Sequence, residues 1–219
     1  FDDAAAHHRE AIRLAQQLDQ YGNWAVCLSN LASNRTRTGA LAEADGLLEQ
    51  ARRVYAQAAE PSAIAGYVAI EHCVVHRQLG RYARALRDVD DGLEHLRRFA
   101  PGYEPVILAH RATCWAHLGQ WARLDRTIDE IEQYTVPSRT AVRVALLRRG
   151  ADVALRRPSD AASLEAALAR IETGTTLDFR HAVQCELALL QADAPALATL
   201  EAVAEEAGVL GHTMTLLPA

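Results

Sequence analysis

The chain has 219 residues, with 23 basic and 28 acidic side chains and a formal charge of −5 when His is neutral. With 50% hydrophobic residues, 12 Gly and 7 Pro, it is too apolar for a disordered tail and too poor in Gly and Pro for a collagen- or mucin-like chain. No apolar run approaches the roughly 20 residues of a membrane-spanning helix.

Ala fills about a fifth of the chain, an excess that with scarce Gly and Pro points to helices. Every basic residue is Arg and none is Lys, the bias expected of a GC-rich bacterial gene. The four cysteines, Cys27, Cys73, Cys114 and Cys185, form no Cys-x-x-Cys pair and fall in apolar helical stretches. They are expected to be reduced, buried thiols.

Taken in order, the chain opens with Phe1, Ala4 and Ala11 at the spacing of a helical stripe. Trp24, Leu28 and Leu31 mark the next helix, and Gly39 follows it. Leu41, Ala44, Leu48 and Ala51 then mark another. The sequence repeats this arrangement twice. Tyr67, Ile70, Val74 and Leu79 precede Gly80, and Tyr82, Leu86, Val89, Leu93 and Leu96 follow it. Ile107, His110, Cys114 and Leu118 precede Gly119, and Trp121, Leu124, Ile128 and Ile131 follow it.

The three glycines are 41 and then 39 residues apart. Each is expected just past a helix, where a left-handed cap costs Gly least. The large residue two places on anchors the second helix, and the small one three further lets the helices approach. On this register Ala11, Ala51, Gly92 and Ile131 are equivalent. Leu41, Ala44, Tyr82, Ala85, Trp121 and Leu124 are therefore assigned to packing. Pro61 and Pro105 open helices, Pro101-Gly102 separates two, and Ser138 is offered as a helix cap. The repeat degrades after residue 137. One helix is expected over about 139–156, a turn at Arg157-Pro158-Ser159-Asp160, and another helix near 161–172. Two more are expected, starting near Asp178 and after Asp193-Ala194-Pro195.

Leu79-Gly80-Arg81-Tyr82-Ala83-Arg84-Ala85 and Leu118-Gly119-Gln120-Trp121-Ala122-Arg123-Leu124 resemble the helix–turn–helix signature of tetratricopeptide repeats. Thr38-Gly39-Ala40-Leu41-Ala42-Glu43-Ala44 is a weaker match. The likeness covers about residues 1–135 and is architectural over 136–219. A period near 40, against the usual 34, resembles the divergent repeats of large bacterial ATP-binding transcriptional activators of the maltose-regulon and SARP types. The resemblance implies an all-α, right-handed superhelix of about ten or eleven helices in antiparallel pairs. One repeat domain over 1–219 is expected, as an excised part of a longer protein.

Candidate chemistry is sparse. His72 and His76 share a helix face, but Glu-His-Cys-Val-Val-His is not His-Glu-x-x-His, and no third ligand stands out. They are read as packing and polar lining, and so are His181 and Cys185. No metal and no cofactor are expected. A chain without Lys has no P-loop, and no Gly-x-Ser-x-Gly elbow exists, so no enzyme is expected. Arg pairs occur at 52–53, 97–98, 148–149 and 156–157; several close a helix, where positive charge favours the dipole, and no nucleic-acid surface is read from them.

In tetratricopeptide repeats the first helix of each pair lines the concave face. The resemblance thus places Ser29, Ser33 and Arg37, then Tyr67, Ile70, Val74 and Arg77, then Ala109, Thr113 and His117 in a ligand groove. Arg37, Arg77 and His117 recur one repeat apart as a candidate positive ladder for an acidic peptide or anionic effector. The Lys/Asn clamp of chaperone-binding members is absent. The functional expectation is a non-catalytic, cytoplasmic sensor and scaffold region of a bacterial transcriptional activator, with a freestanding peptide-binding adaptor as the alternative. Its partner is a protein, peptide or small effector; no nucleic acid or membrane is contacted by this region, and self-association is left open.

Overall fold

A computed structural model describes residues 2–158 and 162–169. Among these residues every regular element is helical, so the expected all-α class holds. None of these helices is long and apolar enough to cross a membrane. The helices expected beyond residue 169, with His181 and Cys185, lie outside the described residues. The chain divides into two compact units, Phe1–Leu118 and Gly119–Ala219.

The first unit holds α1 (Asp2–Gln17), α2 (Tyr21–Arg37), α3 (Leu41–Tyr55), α4 (Ile64–Gln78), α5 (Tyr82–Phe99) and α6 (Glu104–His117). A 3-10 turn, Pro101–Tyr103, leads into α6. The second unit holds α7 (Trp121–Ile131), α8 (Ser138–Ala154) and α9 (Ala162–Ala169). Helix α8 matches the stretch expected at 139–156. Ser138 is already its first helical residue, and Pro137 occupies the cap position. The expected Ser138 cap is thus displaced by one residue, because Pro137 pre-sets the backbone that enters the helix.

The glycine turns are as expected. Gly39, Gly80 and Gly119 have φ of 79°, 70° and 65°. The turns occupy residues 38–40, 79–81 and 118–120, the same length each time. Leu18–Gln20 joins α1 to α2 in the same span, with Asp19 in the left-handed position at φ 50°, where a short polar residue is the usual substitute for Gly.

Helices α2 and α3 pack together, as do α4 and α5; α3 packs on α4, and α2 on α4. Ala25, Leu28 and Ala32 of α2 meet Ala44, Leu48, Ala51 and Val54 of α3 and Val68 and Val75 of α4 in one buried cluster. Ala44, Ala85 and Leu124 are fully buried as expected. Leu41, Tyr82 and Trp121 are only half-buried, because each opens its helix at the rim of the packed layer. Leu118, on the stripe of α6, is 42% exposed.

Two glycines set the closest contact. A Cβ on Gly66 would lie 2.5 Å from Leu96 Cγ, and one on Gly92 would lie 2.6 Å from Ala69 Cβ and 2.7 Å from Ile107 Cδ1. Gly92 therefore fulfils the close-approach role expected of its register position. Around the turn glycines an added Cβ meets nothing within 4 Å.

Two substitutions to Ala separate these causes. Gly80→Ala pays only the left-handed backbone penalty, about 1–2 kcal/mol. Gly92→Ala gains helix propensity yet is expected to lose about 1–3 kcal/mol through overpacking against Ala69 and Ile107. Urea unfolding of both variants checks this; a Gly92→Ala protein as stable as the parent contradicts the tight α4–α5 contact.

Candidate functional site

The residues expected in the groove do not share one environment. On α2, Ser29 is buried, Ser33 is half-buried and Arg37 is exposed. On α4, Ile70 is buried, while Tyr67, Val74 and Arg77 are half-buried. On α6, Ala109 has no exposed surface, Thr113 is half-buried and His117 is exposed. Ser29, Ile70 and Ala109 are therefore packing positions rather than lining. Helix α4, for example, has neighbours α2, α3, α5 and α6, which leaves only a narrow strip of it open. Thr113 donates its hydroxyl hydrogen bond to the Ala109 carbonyl at 2.8 Å. The Tyr67 ring meets that of Tyr103 edge-on, with centroids 4.9 Å apart.

Of the candidate ladder, Arg77 and His117 come together. The His117 ring stacks on Tyr82 with centroids 5.1 Å apart. Its imidazole is held below its ordinary pKa by desolvation on burial and then by the charge of Arg77. The Nε of Arg77 is buried with no hydrogen-bond partner. Arg37 ends α2, and no contact joins it to the other two among those described.

A second cluster lies between α3, α4 and α5. His72 and His76, one turn apart on α4, stack with centroids 4.9 Å apart and planes 7° apart. His76 Nδ1 lies 2.6 Å from Asp88 Oδ2 of α5, and both side chains are buried. With Asp88 ionised, Nδ1 carries the proton and donates, which leaves Nε2 as the free lone pair. Both Nε2 atoms turn to Asp45 of α3, with Oδ1 at 3.4 Å from His72 and 3.3 Å from His76. Glu49 Oε1 is 3.8 Å from His72 Nε2. His72 has no exposed surface, and neither of its ring nitrogens has a hydrogen-bond partner. Burial holds its imidazole below the ordinary value, and burial pushes the Asp88 carboxyl up against the opposing bond from His76.

His72 also borders a cavity of about 280 Å³, which Arg52, Asp88, Asp91, Glu94 and His95 line as well. The sequence had read the two histidines as packing and polar lining with no third group in view. Asp45 is that third group. No spacing motif could reveal it, because it belongs to the preceding helix pair.

The thiols follow expectation in part. Cys73 and Cys114 are buried and unpaired by disulfide, while Cys27 is half-buried. The contact with Cys114, together with burial, pushes the Cys73 thiol up and keeps it protonated. The Arg pairs divide. Arg52-Arg53 and Arg97-Arg98 close α3 and α5 as expected. Arg148-Arg149 instead lies within α8, where Arg148 bonds Asp129 at 3.1 Å and Glu132 at 2.9 Å. Arg157 bonds both oxygens of Asp125.

No protein-family model matches the sequence, and no curated protein matches it. Solved structures do. BtubC (BKLC) from P. vanneervenii matches with a TM-score of 0.67 at 15% identity, over 100% of this chain and 95% of that one. At that identity the likeness concerns the fold.

The His76–Asp88 pair is a stability element that mutation can isolate. Asp88→Ala leaves a buried imidazole without its partner and is expected to cost about 3 kcal/mol or more. Chemical denaturation measures this, and a loss below about 1 kcal/mol excludes a buried, structurally coupled pair.

Proposed function

We propose that the chain is a non-catalytic interaction scaffold, a tetratricopeptide-like superhelical array whose first-helix face holds an acidic segment of a partner or an anionic effector. The unfilled Arg77 Nε beside His117 carries this reading. A buried donor without an acceptor costs stability that a ligand acceptor restores. A carboxylate or phosphate bound there gains a charge-assisted bond. The Gly39 and Gly80 turns support the array reading, because they join the successive packed pairs α2–α3 and α4–α5. The turn motifs and the period near 40 support a cytoplasmic sensor and scaffold region of a bacterial transcriptional activator. In that role the ligand biases one arrangement of the helix pairs, by no more than its differential affinity for the two states.

Two measurements test the proposal. Fluorescence anisotropy with a panel of Asp/Glu-rich peptides is expected to show salt-sensitive binding that Arg77→Glu weakens at least ~10-fold. Unchanged binding of the peptides by Arg77→Glu removes the Arg77–His117 face from the proposal. In NMR titration, Arg77→Ala is expected to raise the His117 pKa, though not to the free-imidazole value, because desolvation by burial remains. For the activator role, the parent reading frame is expected to encode a nucleotide-binding loop and a helix-turn-helix. A short frame ending near these termini favours the freestanding adaptor.

A further inference from the structure

We propose that Asp45, His72 and His76, with Glu49 beside them, form a binding site for one divalent transition-metal cation of the zinc type. This is independent of the partner-binding face, since it uses other residues on the α3 side of α4.

The two separations from Asp45 are those of a coordination sphere, and the candidate ligand atoms of Asp45, His72 and His76 all lie within 4.8 Å of one another. Two ligand atoms, each about 2.0–2.1 Å from a tetrahedral ion, stand about 3.3 Å apart. The Asp45 Oδ1 separations from His72 Nε2 and His76 Nε2 are 3.4 and 3.3 Å. Without an ion the cluster is poorly satisfied. His72 has no exposed surface, yet neither ring nitrogen has a hydrogen-bond partner. Leaving such a group unpaired costs stability, and coordination through Nε2 removes half of that deficit. The Nδ1–H then needs an acceptor, and the adjoining cavity of about 280 Å³ has room for a water.

The surroundings fit as well. Asp88 on His76 Nδ1 is the carboxylate–histidine arrangement that fixes a ligand's tautomer and raises its basicity. Arg81 takes the other oxygen of Asp45, with Nη1 2.9 Å from Oδ2, which aims Oδ1 at the histidines. Arg52 lies 3.7 Å from Asp88 Oδ1. Three carboxylates, on Asp45, Glu49 and Asp88, face these two guanidiniums, so a dication meets a net negative site. Asp45 is 24% and Glu49 50% exposed in their side chains, which gives the ion a way in. Two imidazoles with carboxylates select a borderline transition metal over Mg²⁺ or Ca²⁺. Because Asp45 belongs to α3 and both histidines to α4, the ion bridges consecutive helix pairs.

The test uses the tag-free full chain, stripped with a chelator and titrated with ZnCl₂ and CoCl₂. Calorimetry is expected to give one ion per chain, with a rise in Tm on adding Zn²⁺. Co²⁺ is expected to show the visible bands of a low-coordinate site with nitrogen ligands. Asp45→Asn keeps the side-chain size at a partly exposed position, so it is expected to fold, and it should weaken Zn²⁺ strongly. Asp88→Asn, which acts through His76, should weaken it about 10–100-fold. The absence of saturable binding by either ion overturns the proposal. So does binding by Asp45→Asn with unchanged affinity and cobalt spectrum, which would place the ion elsewhere, for example at His7 and His8.

Discussion

The close approach of α4 and α5 is the contact on which the first unit depends. It exists because Gly66 and Gly92 present no side chains where the helices meet, and a methyl at either place would lie well inside the contact distance of a neighbouring carbon. Close packing here does more than bury Leu96 and Ile107. Asp88 lies one turn before Gly92 on α5, and the near contact brings its carboxylate within 2.6 Å of His76. That bond orients the imidazole, and the imidazole in turn points Nε2 at α3. A backbone-level constraint at two small residues thus reaches the most polar part of the interior through a chain of defined contacts.

The sequence made the helix pairs legible because their signals are local. Gly39, Gly80 and Gly119 each satisfy a backbone need that other residues meet poorly, and the stripes on either side have the period of a helix. The side of each helix that stays open was much less legible. Ser29, Ile70 and Ala109 carry nothing in their own neighbourhood that says which other helix will cover them. Their burial is decided by α2, α4 and α6 lying near one another. The α3–α4 cluster was half visible for the same reason. His72 and His76 declare themselves by spacing along one helix, whereas Asp45 and Asp88 arrive from helices on either side. Ser138 shows a smaller limit, since a cap residue and a first helical residue differ by one position and Pro137 decided between them.

The exclusive use of Arg has a structural counterpart. Arg35 bonds Glu43 at 2.9 Å, Arg81 bonds Asp45 at 2.9 Å, and Arg111 and Asp90 pair between α5 and α6. These links join successive helices along their exposed edges. Guanidinium is weakly hydrated and forks toward carboxylates, so it suits such edges better than an ammonium group. Each exposed pair is worth little alone. Arg77 differs from these arginines in its buried Nε, which has no hydrogen-bond partner.

The connections are of two kinds. Within pairs, residues 38–40 and 79–81 form turns of one length with a left-handed glycine. Between pairs, residues 56–63 form a longer link, and the Tyr55 hydroxyl clasps it by accepting from the Ser62 amide at 2.6 Å. The invariant turns make each hairpin behave as a rigid tile, while the longer link behaves as mortar. Gain or loss of residues over evolutionary time would be tolerated in the mortar and rejected in the tile. The pitch of the first unit is therefore adjustable at residue 56–63 without disturbing the register inside either hairpin.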